Sequence, residues 1–198
     1  MAGLGQMMCG GLQPQGRQAD DFYPTPADVT RALIAEERVA LAAQPAIWEP
    51  ACGSGAISKV MEHEGFRVIS SDLRDYGYGT TADFLKTQEA PCTAIVTNPP
   101  FRIAEDFILH ARRLGVSYLA LLLKSQFWNA KSRLSLFNEW RPHTIYPLTW
   151  RPDFLDRGAP TMDVMWVVWR GDIPNWNTVF KPIGRPKNAG MVNERRES

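Results

Sequence analysis

The chain has 198 residues, 22 Lys and Arg against 21 Asp and Glu, and is 44% hydrophobic. This accommodates one domain with a sizeable core and excludes collagen-like and wholly disordered chains. Three scattered cysteines (Cys9, Cys52 and Cys92) exclude a disulfide scaffold or zinc cluster, and no stretch approaches the roughly 20 apolar residues of a membrane span.

The N-terminus lacks the charged-then-apolar pattern of a signal peptide, so a cytoplasmic protein is expected, with no membrane partner and no metal. The net charge of +1 hides an asymmetry. Residues 1–101 carry 7 Lys/Arg and 12 Asp/Glu, whereas 102–198 carry 15 and 9. The second half could meet a polyanion; chance clustering of surface charge is the other reading.

Residues 1–20 are rich in Gly, Gln and Met and read as a flexible leader. The domain is expected over 21–181, and 182–198 reads as a tail punctuated by Pro, Gly and Asn. Between them the pattern alternates. Residues 26–42 have helical spacing, with Val29, Leu33, Ile34 and Val39 on one side. A short strand at 46–49 runs into a glycine turn, a helix over 56–65 closes at Gly65, and a strand over 67–73 ends in an acid. The strand at 93–97 ends in a polar-proline turn. A helix over 102–115 turns Ile103, Phe107, Ile108 and Ala111 inward. The near-continuous apolar run at 116–127 suits the centre of a parallel sheet. A helix over 129–140 and strands at 143–150 and 162–171, an antiparallel hairpin, complete an open α/β sheet covered on both faces.

Ligands of such sheets bind at the carboxyl ends of the strands. Three strand ends here carry unusual residues. Glu49-Pro50-Ala51-Cys52-Gly53-Ser54-Gly55 offers glycines for a tight turn, free N–H groups on the following helix, and an acid that accepts from an amine or hydroxyls. It is neither a P-loop nor G-x-G-x-x-G, and an ordinary strand–helix turn is the bland reading. Cys52 reads as a packing residue, with no His nearby in sequence. Asp72, at the second strand end, can bind the two hydroxyls of a ribose, and Asp83-Phe84 can read an adenine through its amine and ring face. Either acid can instead be a turn or helix cap. Asn98-Pro99-Pro100-Phe101 is the most specific string. The Asn98 carbonyl and a backbone carbonyl can accept both protons of an exocyclic amine, and Phe101 can stack on the planar group carrying it. A proline-rich turn with a buried Phe is the alternative.

These strings resemble those of the S-adenosylmethionine (SAM)-dependent N6-adenine DNA methyltransferases, especially the small single-domain type common in bacteriophages. Asp21-Phe22-Tyr23-Pro24-Thr25-Pro26 resembles the N-terminal cofactor segment, and Glu49 to Gly55 the glycine-rich cofactor loop. Asp72-Leu73, Asp75 to Gly79 and Asp83-Phe84-Leu85 resemble the ribose and adenine contacts. Asn98 to Phe101 resembles the (D/N/S)-P-P-(Y/F/W) catalytic motif. Leu122-Leu123-Lys124 through Phe127, and Arg151-Pro152-Asp153-Phe154, resemble later segments of the phage type. The likeness covers about residues 21–171. It implies a class I SAM-dependent methyltransferase fold, Rossmann-like, with SAM held by Tyr23, Thr25, Pro26, Glu49, Pro50, Ala51, Cys52, Gly53, Gly55, Asp72, Leu73, Asp83, Phe84 and Asn98. It implies catalysis by Asn98, Pro99, Pro100 and Phe101. About 40 residues separate the glycine loop from Asn98, too few for an inserted target-recognition domain.

The implied reaction is transfer of the SAM methyl to the N6 amine of adenine in DNA, either flipped out of a duplex or single-stranded. No metal, covalent intermediate or general-base His is required, and His63 and His110 are expected at the surface of their helices. Phosphate contacts are expected among Arg102, Lys124, Lys131, Arg133, Arg151 and Arg157. Trp128, Trp140, Trp150, Trp166, Trp169 and Trp176 are expected to be mostly core. The same motif acts on other planar amines, so RNA bases and protein glutamine remain alternative substrates. A non-catalytic nucleic-acid-binding relative is a different class. A nucleotide-dependent oxidoreductase fits the fold and lacks the glycine fingerprint. For a phage or prophage enzyme, protection from restriction is the role the resemblance suggests.

Overall fold

In the computed structural model, which describes residues 23–155, 158, 160–171 and 177–187, the apolar run becomes the heart of one sheet. Its strands are β1 (Ile47–Glu49), β2 (Val68–Asp72), β3 (Thr80–Thr81), β4 (Ala94–Thr97), β5 (Tyr118–Lys124), β6 (Thr144–Pro147), β7 (Val164–Arg170) and β8 (Val179–Phe180). Their spatial order is β3-β2-β1-β4-β5-β7-β6-β8. β7 is antiparallel to its neighbours β5 and β6, and the other pairs are parallel. The expected last pair forms, with Thr144 opposite Val168 and Pro147 opposite Met165. The leader at 1–20, Asp21, Phe22, Arg157, Trp176 and the tail beyond 187 lie outside the described residues.

Alternation along the strands divides the core into two layers. On one face, Val96 of β4 and Ala120 and Leu122 of β5 pack with Val29, Leu33 and Leu41 of helix α1 (Ala27–Ala42) and Ile57 and Met61 of helix α2 (Ala56–His63). On the other, Ile95, Leu119 and Leu121 meet Phe107 and Ile108 of helix α3 (Ala104–Arg113) and Leu136 of helix α4 (Arg133–Glu139). Trp166 and Trp169 are fully buried, and each indole N–H is satisfied, by the carbonyls of Val29 and Trp140. Trp128, Trp140 and Trp150 are half-buried.

Four features depart from the sequence-based expectations. Val39, expected on the inner side of α1, is 87% exposed. The buried stripe instead runs through Val29, Leu33, Glu37 and Leu41, four residues apart, where Glu37 accepts hydrogen bonds from the buried hydroxyls of Tyr118 and Tyr146. His110, expected at the surface, is 6% exposed. It extends the inward stripe of α3, stands edge-on to Phe84 at 4.9 Å, and has a ring nitrogen on the Thr87 carbonyl. Burial, and then the Arg113 guanidinium beside it, push its pKa down, which favours the neutral ring. The strands β3 and β8 were not expected. Finally, packing continues past residue 181: Ile183 is 4% exposed, its N–H bonds the Pro147 carbonyl, and Arg185 pairs with Asp28.

No helix among the described residues is long and apolar enough to cross a membrane.

Candidate active site

The carboxyl ends of β1, β2 and β4 open onto a cavity of about 310 Å³. Of the residues singled out from sequence, Tyr23, Thr25, Glu49, Pro50, Ala51, Cys52, Gly53, Asp72, Leu73, Asp83, Phe84, Asn98 and Pro100 line it. Pro26, Gly55, Pro99 and Phe101 stand off its wall. Ser54 of the glycine loop lines it too, and Ala56, Arg74, Ile103 and Phe107 do so without having been assigned a site role from sequence. Ile103 and Phe107 have an apolar helical spacing that reads as core; nothing in it marks their tips as cavity wall.

The glycine loop is fixed from three sides. Asp72 accepts from the Gly53 N–H at 2.8 Å and from the Arg74 N–H at 3.1 Å, which ties the loop to the end of β2. Each carboxylate oxygen keeps a further lone pair for a ligand hydroxyl. Gly55, at φ +80°, lies so close to the Tyr78 ring that an added Cβ would sit 2.5 Å from it. Gly79, at φ +73°, brings its backbone against Ser70 and the Cys52 sulfur. Burial pushes the Cys52 thiol up to about 12, with the charges of Glu49 and Asp72 adding to the effect. A protonated, buried thiol is a packing group and not a nucleophile.

Glu49 ends β1 and is buried. One of its oxygens accepts from the N–H of Ser58, at 2.8 Å, and from the Ser58 hydroxyl, in the first turn of α2. Desolvation outweighs these bonds, and with Asp72 and Glu62 nearby it raises the carboxyl to about 8. The folded protein therefore holds a proton that the unfolded chain releases near its ordinary value of 4.5. The stabilisation is full below that value and is lost as pH rises through about 8. Melting from pH 5 to 8 is expected to show a Tm fall of at least roughly 5 °C that Glu49→Gln removes. Parallel profiles for the two proteins would contradict the assignment.

Asp83 caps the 3-10 turn Phe84–Lys86, accepting from the Leu85 N–H at 3.1 Å, while Lys86 lies 3.2 Å from its other oxygen. Phe84 is buried among Trp48, Phe107 and His110, with ring centroids 4.5–5.2 Å apart. The cap is realised, and both residues still reach the cavity.

Asn98 follows β4. Its amide nitrogen donates to the Tyr23 carbonyl at 3.3 Å and to the Thr25 hydroxyl at 3.1 Å. A carbonyl only accepts, so the first bond fixes which end of the side chain is nitrogen. The carbonyl Oδ1 is buried with no hydrogen-bond partner. Tyr23 is itself braced edge-on by Phe154, at 6.3 Å. Pro100 starts the 3-10 turn Phe101–Ile103, which leaves Phe101 half-buried, with the Lys124 ammonium 4.7 Å from its ring centroid.

Among the basic candidates, Arg102, Lys124 and Lys131 are exposed. Arg133 pairs with Glu105 and donates to the Phe127 carbonyl, and Arg151 grips Asp163 at 2.7 Å.

No protein-family profile matches the chain, and no curated protein matches it. Solved structures do. A protein from Pyrococcus horikoshii, described as a candidate RNA methyltransferase, superposes with TM-score 0.59 at 12% identity, over 79% of this chain and 90% of that one. A candidate class I SAM-dependent methyltransferase from Listeria monocytogenes gives 0.58 at 14%, over 85% and 68%. The Thermoplasma acidophilum protein 1320 gives 0.55 at 17%, over 76% and 89%. These likenesses, with the mixed eight-stranded sheet, identify the fold as the Rossmann-like fold of class I SAM-dependent methyltransferases.

Proposed function

We propose that this chain transfers a methyl group from SAM to the exocyclic N6 amine of adenine in DNA. The observation that carries the reading is the unpartnered, buried Oδ1 of Asn98, a residue that lines a nucleotide-sized cavity. A buried carbonyl without a donor costs free energy, about 1–3 kcal/mol in mutational data. An incoming N–H donor recovers it.

The residues fit the cofactor. The glycine loop and Glu49 suit its amino-acid end, Asp72 and Leu73 its ribose, and Asp83 and Phe84 its adenine, with Tyr23 and Thr25 closing the side. When bound, SAM supplies a sulfonium-activated, electrophilic methyl group.

The chain's own task is to prepare the acceptor. An adenine amine is a poor nucleophile because its lone pair is delocalised into the ring. Asn98 Oδ1 and the Pro99 backbone carbonyl accept hydrogen bonds from its two N–H groups, which favours a pyramidal nitrogen with a localised lone pair. That preference grows as the nitrogen attacks, so it lowers the barrier instead of only tightening binding. Pro99 and Pro100 hold the backbone so that the acceptors are in place beforehand. Phe101 stacks on the base. Arg102, Lys124 and Lys131 supply positive charge for the phosphates.

Adenine in RNA is the second reading, favoured by the likeness to the Pyrococcus protein described as a candidate RNA methyltransferase. Labelled SAM offered with unmethylated DNA, RNA and a glutamine-containing peptide tests both. Label in DNA is expected. Label confined to RNA moves the acceptor to the second reading, and label only in peptide, or in none, sinks the nucleic-acid reading.

A further inference from the structure

Lys124 is the residue of β5 that escapes burial. It stands at the carboxyl end of the strand next to β4, the strand that leads into Asn98. Its ammonium lies over the face of Phe101, 4.7 Å from the ring centroid. Phe101 also packs against the core layer that holds Tyr146 and Phe154. A planar base stacking on Phe101, with its amine toward Asn98 Oδ1, needs a face of that ring, and the ammonium stands over one. An exposed cation is held weakly by an aromatic face. A phosphodiester gives it a stronger partner. Of the other basic candidates, Arg133 is engaged with Glu105 and Arg151 with Asp163, whereas Arg102 and Lys131 are exposed as Lys124 is.

We propose that Lys124 gates the acceptor site: the entering base takes the face of Phe101 and the ammonium swings to the phosphate beside the target nucleotide. This rests on the nucleic-acid reading above and deepens it, because it makes a flanking phosphate part of what admits the base. A free nucleoside, or a neutral amide on a protein, gives the displaced cation no destination. Lys124 is then a positioning and specificity residue, acting through Phe101.

The test compares kcat/KM for an adenine-containing oligonucleotide and for free 2′-deoxyadenosine in wild type, Lys124→Met, Lys124→Gln and Lys124→Arg. Both neutral variants are expected to lower oligonucleotide kcat/KM about tenfold, mainly through KM, and to raise nucleoside turnover. The slope of log kcat/KM against log salt is expected to fall by about one. Arginine, which keeps the charge, restores most of the discrimination. An unchanged substrate ratio and salt slope in the neutral variants overturns the gate while leaving the methyltransferase reading intact. Wild-type protein that methylates neither substrate overturns both.

Discussion

Asn98→Ala is expected to lower kcat by at least about a hundredfold, the scale seen when one preorganised polar group is removed from a transition-state site. Alanine leaves the amine with one acceptor in place of two, so the nitrogen stays conjugated through most of the approach to the methyl. The loss belongs in kcat, because the bonds in question strengthen in the transition state. SAM affinity is expected to fall by no more than about tenfold, the worth of a hydrogen bond or two. That smaller loss has its own source. The Asn98 nitrogen anchors Tyr23 and Thr25, and both line the cavity. Thr25→Val, which removes one anchor and leaves Oδ1 in place, separates the two roles. It is expected to weaken SAM binding severalfold with kcat nearly kept. Calorimetry with SAM and single-turnover rates for the two variants check this, and equal kcat losses in both would contradict it.

Gly79→Ala is expected to be the most damaging small substitution at the rim. Its φ of +73° is strained for an L residue, and the new Cβ would lie 2.7 Å from the Ser70 carbonyl oxygen and 2.9 Å from the Cys52 sulfur. Backbone cannot swing aside, so strain and overlap together are worth about 3 kcal/mol. For a domain of this size, that lowers Tm by roughly 6–12 °C. Gly55→Ala shares the strain, at φ +80°, but the nearest atoms to its Cβ belong to the Tyr78 ring, a side chain held by Glu62 and Lys59. Gly55→Ala with Tyr78→Ala is expected to recover the overlap part of what Gly55→Ala alone loses and to keep the strain of φ +80°; no such partner relieves the overlap in Gly79→Ala. Thermal melts of the three variants decide it, and a Gly79→Ala melt within about 2 °C of wild type would contradict the account.

The parts of the fold written in long patterns were legible. β5 reads from its apolar run, and α2 from its closing Gly65. The two-residue strands β3 and β8 are too short to carry a pattern; their neighbours' open edges set them, through bonds such as Lys181 N–H to the Ile145 carbonyl. Glu37 and His110 hid in inward stripes because charged and titratable residues are counted as surface until their partners are seen. The site was legible as strings and illegible as geometry. The sequence places Asn98 at a strand end. Only the fold shows that its nitrogen is spent on a segment some 73–75 residues earlier, which leaves its buried oxygen without a partner. Likewise, 23 residues separate Phe101 from the Lys124 that covers it, and the pairing of β4 with β5 closes that gap.

The central claim is that Asn98 prepares an adenine amine for methylation. Its most direct test is nucleoside mass spectrometry of unmethylated DNA after incubation with the protein and isotopically labelled SAM, with Asn98→Ala alongside. The account predicts labelled N6-methyladenine from wild type and its loss in the variant. Label on another atom or another base, or equal N6-methyladenine from both proteins, would contradict it.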